Sequence, residues 1–251
     1  MKVPKMKKGL TLKMQDYIHY PEGKLKYNKE MFKEIAPRYD FITRVLSLGR
    51  DRAWKDELIE KLPPIEKPNC LDLACGTGDI TFRLADKYPE GSVVGLDLTE
   101  DMVAYARLRN SHHNIKFTIQ DMCRTRFTDN SFDIITGGYA LRNAPDVQKA
   151  LVEIWRVMKN RGTAAFLDFS KPPAPFFQKL EYAVLKLWGG FWGLALHFNT
   201  EVYTYIAESL KQFPDSQRLK KYITEAGFVN IQSKKYYGGI VETLIFEKSC
   251  D

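Results

Sequence analysis

Acidic residues and glycines recur where predicted β-strands end, and these residue types could hold a polar small molecule. Asp72 lies in the first apolar run, Gly76 and Gly78 follow it, and the next two apolar runs end at Asp97 and Asp121. In an open α/β sheet, the carboxyl ends of neighbouring strands form the crevice in which ligands bind. We therefore expect these five residues to share one crevice.

The turn after the first strand favours a ligand that lacks phosphate groups. Glycines at the start of a helix let backbone N–H groups approach a ligand closely. A dinucleotide-binding fold has the pattern G-x-G-x-x-G there, whereas Thr81 occupies the third position of this chain. Asp72 also places a carboxylate before the turn, and a carboxylate attracts a cation and repels a pyrophosphate. The turn therefore predicts a cationic ligand such as an ammonium or a sulfonium.

Two further acids extend this prediction to an adenosine group. The carboxylate of Asp97 could accept hydrogen bonds from both hydroxyls of a ribose, as in sites for NAD or S-adenosylmethionine (SAM). It could equally cap the helix that follows it. The carboxylate of Asp121 could accept from an adenine amino group, while Met122 packs on the ring. Together the acids and glycines favour ligand binding over capping alone.

The order of predicted elements would bring these residues to one edge of a sheet. Strand and helix patterns alternate from Cys70 to Ser170, which is typical of a parallel sheet with right-handed crossovers. A Gly-Gly pair between the apolar-alternating runs "NIQSKKYY" and "IVETLIFEKS" predicts a closing antiparallel hairpin. We therefore predict an α/β, Rossmann-like fold with a mostly parallel sheet.

Three segments lie outside this alternation. Residues 1–30 hold eight Lys and three acidic residues and are predicted to be a basic arm in front of a single domain, residues 31–251. Within that domain, residues 31–62 are predicted to form helices that fold over the site. Residues from about 172 to 212 are rich in aromatics and are predicted to be an inserted helical lid.

Composition limits the class of protein and its surroundings. The 251 residues are 44% hydrophobic and 27% charged, as in a globular domain, and the formal net charge is +7. The four cysteines have no CxxC spacing and no neighbouring His, so we predict no metal site and a reducing compartment. The apolar run from Tyr182 to Phe198 contains Lys186 and a Gly pair, and is too short for a membrane span. We expect a cytoplasmic protein.

Several stretches of the chain resemble one family. "LDLACGTGD" resembles the SAM-binding motif of class I methyltransferases. "YDFITRVLSLGRDRAWK" is similar to the first signature of the UbiE-type quinone C-methyltransferases, and "ALRNAPDVQKAL", "RVMKNRGTAAFLDFSKP" and "YIAESLKQFPDSQRLKKYITEAGF" resemble later segments of that family in the same order. The resemblance covers nearly everything from about Met31 onward. In three places the chain differs from the family: Thr43 replaces Asn, "KNRG" replaces K-P-G-G, and "GIVETLI" replaces G-I-V-A-x-H.

The resemblance implies a fold, a cofactor and a reaction. Members of this family methylate a ring carbon of a prenylated quinol in ubiquinone or menaquinone biosynthesis, with SAM as the methyl donor. The implied fold is that of class I methyltransferases. The residues that we expect to hold SAM are Asp72, Gly76, Thr77, Gly78, Asp97, Leu98, Met102, Asp121, Met122 and Gly138.

Methylation of a ring carbon makes demands on the side chains around it. In-line displacement depends on positioning, and the ring carbon becomes nucleophilic when a neighbouring hydroxyl loses its proton. Arg142 is our candidate for stabilising the phenolate, Asn143 for orienting its oxygen, and Tyr39 for relaying the proton. The resemblance supports "RN" as a functional pair and "YD" as a lid over the site. The alternatives are a surface salt bridge for Arg142 and core packing for Tyr39.

Other functions are also consistent with parts of the sequence. The same fold could transfer a methyl group to N, O or S of another small or lipid-like acceptor. An NAD-dependent oxidoreductase is disfavoured by Thr81 and Asp72, and a catalytically silent subunit by the intact acids and glycines. No D/N-P-P-Y/F motif follows the fourth strand, which disfavours a nucleic-acid partner.

The aromatic insert suggests how a prenylated substrate could be reached. Its side chains Phe176, Phe177, Trp188, Phe191 and Trp192 could form an apolar wall for a prenyl tail, or could be ordinary core residues. With Lys179, Lys186 and the basic arm, that wall could also dock on anionic lipid at the inner face of a membrane. The sequence leaves open whether the protein forms a homodimer.

Overall fold

The computed structural model describes residues 10–250, and at its centre lies a seven-stranded sheet. The strands are β1 (Asn69–Leu73), β2 (Ser92–Asp97), β3 (Ile115–Ile119), β4 (Phe132–Gly138), β5 (Met158–Phe169), β6 (Phe228–Tyr236) and β7 (Val241–Lys248). Their order in the sheet is β3-β2-β1-β4-β5-β7-β6. Strands β1 to β5 are parallel, and β7 is antiparallel to both β5 and β6. The predicted fold class and its closing hairpin are confirmed.

Ten helices surround this sheet in the described part of the chain. They are α1 (Pro21–Ile35), α2 (Tyr39–Leu46), α3 (Asp51–Glu60), α4 (Asp79–Lys87), α5 (Glu100–Arg109), α6 (Ala140–Asn143), α7 (Val147–Val157), α8 (Pro175–His197), α9 (Glu201–Gln212) and α10 (Ser216–Glu225). Two of them begin at an aspartate whose carboxylate accepts backbone N–H groups: Asp146 before α7 and Asp215 before α10.

The strands bury apolar side chains on both faces of the sheet, as strands covered by helices on both sides do. In β1, Leu71 and Leu73 belong to one core layer, together with Ile154 of α7 and Ile223 of α10. Cys70 points to the opposite layer. This alternation decides which side chains of the strand can reach the crevice at its end.

A third core forms where the N-terminal helices meet the inserted segment. Tyr27 and Met31 of α1 are buried against Tyr205 of α9. Helix α1 begins at Pro21 and packs in this core, so residues 21–30 of the predicted basic arm adjoin the predicted domain, and the boundary at residue 30 stays a prediction. The apolar side chains of α1 pack against α9, which lies far along the chain. Residues 1–9 of the arm lie outside the described residues.

Helices α8 and α9 occupy the predicted insert and pack tightly on each other. A Cβ atom at Gly189 would lie 2.7 Å from the backbone oxygen of Tyr203, so the two helices approach at glycine distance. No helix among residues 10–250 has the length and hydropathy needed to cross a membrane.

Candidate active site

A narrow cleft lies at the carboxyl ends of β1, β2 and β4, as predicted for the binding crevice. Its volume is about 70 Å³. Seven of the residues that we expected to hold the cofactor line it: Gly76, Asp97, Leu98, Met102, Asp121, Met122 and Gly138. Helix α1 covers the cleft with Leu25, Asn28 and Phe32.

The turn between β1 and α4 requires glycine for its backbone. Gly76 and Gly78 have φ of +56° and +90°, in the left-handed region that side chains with a Cβ disfavour. A Cβ at Gly78 would also lie 2.7 Å from the ring of Phe82. The turn thus brings the backbone of Gly76 to the edge of the cleft.

Asp97 stands at the end of β2 with part of its hydrogen-bonding capacity in use. One carboxylate oxygen accepts the N–H of Gly76 at 2.9 Å, and the other accepts the N–H of Thr99 at 2.8 Å. Each carboxylate oxygen can accept more than one hydrogen bond, and Asp97 lines the cleft. Burial raises the pKa of Asp97, and these N–H groups oppose that shift. Asp97 therefore orders the turn and still faces the cleft.

Asp121 and two methionines complete the far side of the cleft. One oxygen of Asp121 accepts the backbone N–H of Cys123 at 2.9 Å. Met102 and Met122 are buried and also line the cleft. Polarizable thioethers beside a carboxylate form a slot that suits a flat heteroaromatic ring.

Asp72 does not reach the cleft, which corrects its predicted role. Its carboxylate is buried on the α4 side of the sheet and accepts hydrogen bonds from Thr81 at 2.7 Å and from Thr136 at 3.0 Å. Side chains of a strand alternate between the two faces, and Asp72 falls on the face that α4 covers. Burial raises the pKa of Asp72 to about 6, with both threonine hydroxyls opposing the shift. Asp72 therefore fastens α4 to the sheet.

Thr77 and Gly78 also lie outside the lining of the cleft. The hydroxyl of Thr77 donates to Asp40 at 2.6 Å, and Asp40 pairs with Arg109 of α5. The "YD" pair therefore ties the start of α2 to the glycine turn. Gly78 serves the backbone of that turn.

A second and larger cavity lies next to the cleft, with a volume of about 560 Å³. Its walls come from α1, α2, α8, α9 and the end of β5, and they are mainly apolar and aromatic. Examples are Met31, Ile42, Trp54, Leu185, Trp188 and Tyr203. A volume of this size is typical of pockets for small molecules.

The cleft and the cavity meet at four side chains that line both of them. These are Phe32, Tyr39, Tyr139 and Asn143. The amide nitrogen of Asn143 donates to the backbone oxygen of Tyr139 at 2.7 Å, while its buried side-chain oxygen has no hydrogen-bond partner in the described part of the chain. A free, buried acceptor at this junction is positioned to take a proton donor from a ligand.

Arg142 lies in the floor of the larger cavity as a buried cation. It is 3% exposed, its Nη1 donates to Ser209 Oγ, and its Nε lies 3.6 Å from Asp168. The rings of Phe169 and Tyr205 lie 5.3 Å and 5.9 Å from its guanidinium. Among residues 10–250 the buried Nε atom has no hydrogen-bond partner, and the carboxylate that it faces is that of Asp168. The alternative of a surface salt bridge does not hold for Arg142.

Tyr39 lies at the junction, and its phenol hydroxyl keeps its proton at neutral pH. Burial raises its pKa to about 12, and the charge of Lys55 opposes that shift. Near neutral pH the hydroxyl is therefore protonated and can donate a hydrogen bond. The ring also packs on Phe32, with the two centroids 6.2 Å apart, so Tyr39 combines a packing contact with a position at the site.

Helix α1 holds the backbone from Arg142 to Ala144, which the sequence did not reveal. Lys24 Nζ donates to the carbonyls of Arg142 and Ala144 at 2.8 Å and 2.7 Å. Asn28 donates to the carbonyl of Asn143 at 2.9 Å. Burial, and next the charge of Arg142, lower the pKa of Lys24 to about 8. These three hydrogen bonds fix the turn that carries the predicted pair.

A buried ionic network supports the junction from the side of α3. The hydroxyl of Tyr139 donates to Asp51 at 2.6 Å, and Lys55 bridges Asp51 and Asp79 at 2.6 Å and 2.9 Å. These carboxylates raise the pKa of Lys55 despite its burial. Because Asp79 begins α4, the network joins the N-terminal helices, the glycine turn and the end of β4. Asp51 and Lys55 belong to the "RDRAWK" segment that resembles the family signature. The sequence did not show that they bind Tyr139 and Asp79.

The residues of the closing strand that differ from the family pattern lie outside the lining of the cavity. Of the residues in "GIVETLI", Ile240 and Val241 line the cavity, whereas Glu242 and Leu244 do not. Glu242 is buried and accepts hydrogen bonds from Ser170 and Ser216, both at 2.8 Å. The unusual carboxylate is therefore satisfied away from the site.

Comparison with known proteins gives one consistent family. The profile of the ubiE/COQ5 methyltransferase family matches residues 22–248. Ubiquinone/menaquinone biosynthesis C-methyltransferase UbiE of Rickettsia bellii is 36% identical over 223 residues, which are 84% of this chain and 88% of that protein. Demethylmenaquinone methyltransferase of Staphylococcus aureus is 32% identical over 221 residues, 86% of this chain and 92% of that protein.

Solved structures share the fold at much lower identity. A SAM-dependent methyltransferase of Thermotoga maritima has a TM-score of 0.63 and 17% identity, covering 88% of this chain and 99% of its own. Phosphoethanolamine N-methyltransferase 2 of Haemonchus contortus, in complex with SAM, has a TM-score of 0.58 and 13% identity, covering 78% of this chain and 52% of its own. At these identities the likeness is one of fold.

Proposed function

The chain belongs to the ubiE/COQ5 methyltransferase family, and from this we propose that it transfers a methyl group from SAM to a ring carbon of a prenylated quinol in ubiquinone or menaquinone biosynthesis. One observation carries the proposal. A cleft lined by Asp97, Asp121 and two methionines meets, at Phe32, Tyr39, Tyr139 and Asn143, an apolar cavity that holds a buried arginine.

The acceptor groups of the cleft fit the adenosine part of SAM. The carboxylate oxygens of Asp97 would accept from the two ribose hydroxyls, and Asp121 has an oxygen free for the adenine amino group. Met102, Met122 and Leu98 would pack around the adenine. When bound, SAM supplies an electrophilic methyl group on a sulfonium.

Helix α1 has to move for the cofactor to enter. The cleft holds about 70 Å³, and pockets for small molecules typically hold about 300 Å³ or more. The side chains that cover it, Leu25, Asn28 and Phe32, all belong to α1. Since Lys24 and Asn28 on the same helix hold the Arg142 turn, closure of α1 would both enclose the cofactor and set the acceptor site.

The larger cavity fits the acceptor. Its aromatic and aliphatic walls suit a prenyl chain, and Arg142 is its buried cation. A quinol that releases its hydroxyl proton to water places negative charge on oxygen and makes the neighbouring ring carbon nucleophilic. Arg142 would stabilise that oxygen through the charge of its guanidinium, since this side chain is part of the cavity lining. After the ring carbon has taken the methyl group and S-adenosylhomocysteine has been formed, the carbon would release its own proton to water.

Asn143 and Tyr39 orient the acceptor at the junction. The free side-chain oxygen of Asn143 accepts from a quinol hydroxyl. Tyr39 donates from a phenol whose pKa of about 12 keeps it protonated at neutral pH. The chain thus positions the ring carbon and lowers the cost of the phenolate, which is where such a displacement gains its rate.

Product analysis tests this function directly. Purified protein would be incubated with SAM labelled with ¹³C in its methyl group and with a demethylated prenylated quinol, and the product analysed by mass spectrometry and NMR. We expect the label on a ring carbon, and none with the oxidised quinone, which lacks the hydroxyl that activates the ring. Label on oxygen, or turnover only with a different acceptor class, would favour the N-, O- or S-methyltransferase alternative.

A further inference from the structure

The outer side of α8 carries a row of large apolar side chains that the rest of residues 10–250 leaves uncovered. Six of them are more than half exposed, and we call them the apolar face: Phe177, Leu180, Val184, Leu187, Phe191 and Leu194. They follow one another at intervals of three and four residues, so they lie on one side of the helix. An uncovered row of this kind marks an interaction surface.

The packing of α8 on α9 fixes the direction of this face. Gly189 and Gly193 form the contact, and a Cβ at these positions would lie 2.7 Å from the oxygen of Tyr203 and 2.5 Å from that of Asn199. Rotating the helix to bury the apolar face would push large side chains into this glycine contact. The apolar face therefore points away from α9, because the glycines on the opposite side of α8 have no side chain and allow α9 to approach.

The apolar face is continuous with the mouth of the larger cavity. Val184 belongs to the face and lines the cavity, and Trp188 lines the cavity and is 38% exposed. Across the opening, Leu48 and Tyr237 also line the cavity and are 73% and 49% exposed. A ligand that leaves the cavity between these residues passes directly onto the apolar face.

The exposed charges beside the face are basic. On α8 the exposed charged side chains are Lys179 and Lys186, whereas Glu181 is buried. Arg44 and Arg50, on either side of Leu48 in the chain, are exposed as well. Basic residues that border an apolar helix face are the pattern of binding to an anionic membrane surface.

We propose that the apolar face docks the protein on an anionic lipid bilayer, with the cavity mouth opening toward the acyl chains. This rests on the proposed function, because an acceptor with a prenyl tail resides in the membrane. A bilayer suits the face better than a second copy of this chain. Two copies joined through α8 would bring their own lysines together and close the mouth that the tail has to enter.

Vesicle binding, measured without SAM or quinol, tests docking separately from catalysis. Sedimentation would compare vesicles of phosphatidylcholine alone with vesicles containing phosphatidylglycerol. The test variant is Leu187→Glu with Phe191→Glu, and the matched control is Leu108→Glu, an 84% exposed leucine on α5. We expect tighter binding to the anionic vesicles, a loss of at least about ten-fold in the double variant, and an unchanged control.

Two further readouts guard against misfolding and against the rival partner. The double variant should keep its activity on a short-tailed, water-soluble quinol, and brominated lipids should quench the fluorescence of wild-type protein more than that of Trp188→Phe. The proposal would be overturned by wild-type protein that ignores anionic vesicles, or by a double variant that binds them equally well. A dimer that dissociates in the double variant, without vesicle binding by the wild type, would assign the face to a second copy.

Discussion

Replacing Arg142 should impair methyl transfer while leaving SAM binding intact. Arg142 lines the acceptor cavity and not the cofactor cleft. A quinol oxygen about 4 Å from the guanidinium would be stabilised by about 4 kcal/mol at an effective dielectric constant of about 20. Removing one such preorganised group typically lowers kcat by about 10²- to 10³-fold. We expect that loss in Arg142→Met, and a smaller one in Arg142→Lys, which keeps the charge without the planar fork.

The pH profile separates this role from a structural one. A cation beside the quinol lowers the pKa of its hydroxyl, so the variants should need a higher pH to reach their maximal kcat. A stabilisation of about 4 kcal/mol corresponds to a shift of about three units in that pKa. Steady-state kinetics between pH 6 and about 10 would measure kcat, and calorimetry would measure the affinity for SAM.

Arg142→Met also breaks a buried ion pair with Asp168, which can cost about 3–5 kcal/mol of stability. Circular dichroism and urea unfolding would therefore accompany the kinetics. The control is Arg156→Met. Arg156 lies on α7, away from the site, and pairs with Glu153 and Asp129; we expect this variant to keep its kcat. If folded Arg142→Met turned over at the wild-type rate with the same pH profile, the role assigned to this guanidinium would be wrong.

Three other variants test separate parts of the structure. Lys24→Met removes two hydrogen bonds to the carbonyls around Arg142; we expect about 1–3 kcal/mol lower stability and a several-fold lower kcat, and a kcat unchanged in the folded variant would contradict the positioning role of α1. Asp72 has a folded pKa of about 6 against an ordinary 3.8, so its ionisation costs the folded state stability as pH rises from about 4 to 6. Urea unfolding would compare the free energies of unfolding of the wild type and Asp72→Asn. As pH falls from 7 to 4, the wild type should gain up to about 3 kcal/mol relative to the variant. A difference that does not change with pH would refute the assigned burial. Gly189→Ala should destabilise the α8–α9 contact by about 1–3 kcal/mol, whereas Gly190→Ala, whose Cβ would meet only Thr204 at 3.6 Å, should be neutral or slightly stabilising; equal unfolding midpoints for the two variants would argue against glycine-dependent packing.

The sequence revealed the residues whose position follows from the end of a strand. Asp97, Asp121 and Met122 come directly after apolar runs, and parallel strands bring those ends to one edge. Asp72 lies inside its strand, and its direction depends on which face α4 covers. The strand pattern alone did not contain that information, and the carboxylate proved to bind Thr81 and Thr136.

Long-range partners account for most of what the sequence did not reveal. Lys24 sits in a lysine-rich stretch that reads as a solvated arm, yet its ammonium is buried against carbonyls more than a hundred residues away. The network of Asp51, Lys55 and Tyr139 likewise joins segments that are distant in the chain. Side-chain type alone does not distinguish such buried pairs from exposed charges, because both use the same residues.

In the insert, the hydrophobic pattern did not predict which aromatic side chains face the cavity and which face outward. Its aromatic residues were expected either to line a pocket or to fill a core, and α8 divides them. Trp188 lines the cavity, while Phe191 points outward because Gly189 and Gly193 occupy the packed side. The division depends on which side of the helix meets α9, and the glycine positions are the sequence feature that could have indicated it.

Calorimetric titration of the purified protein with SAM shows whether the strand-end cleft binds the methyl donor. We expect one SAM site per chain, no comparable heat with NADH, and at least about ten-fold weaker binding in Asp97→Ala, which loses the carboxylate that lines the cleft. Protein that is folded but gives no heat with SAM, or Asp97→Ala with undiminished affinity, would show that the strand-end cleft is not where the methyl donor binds.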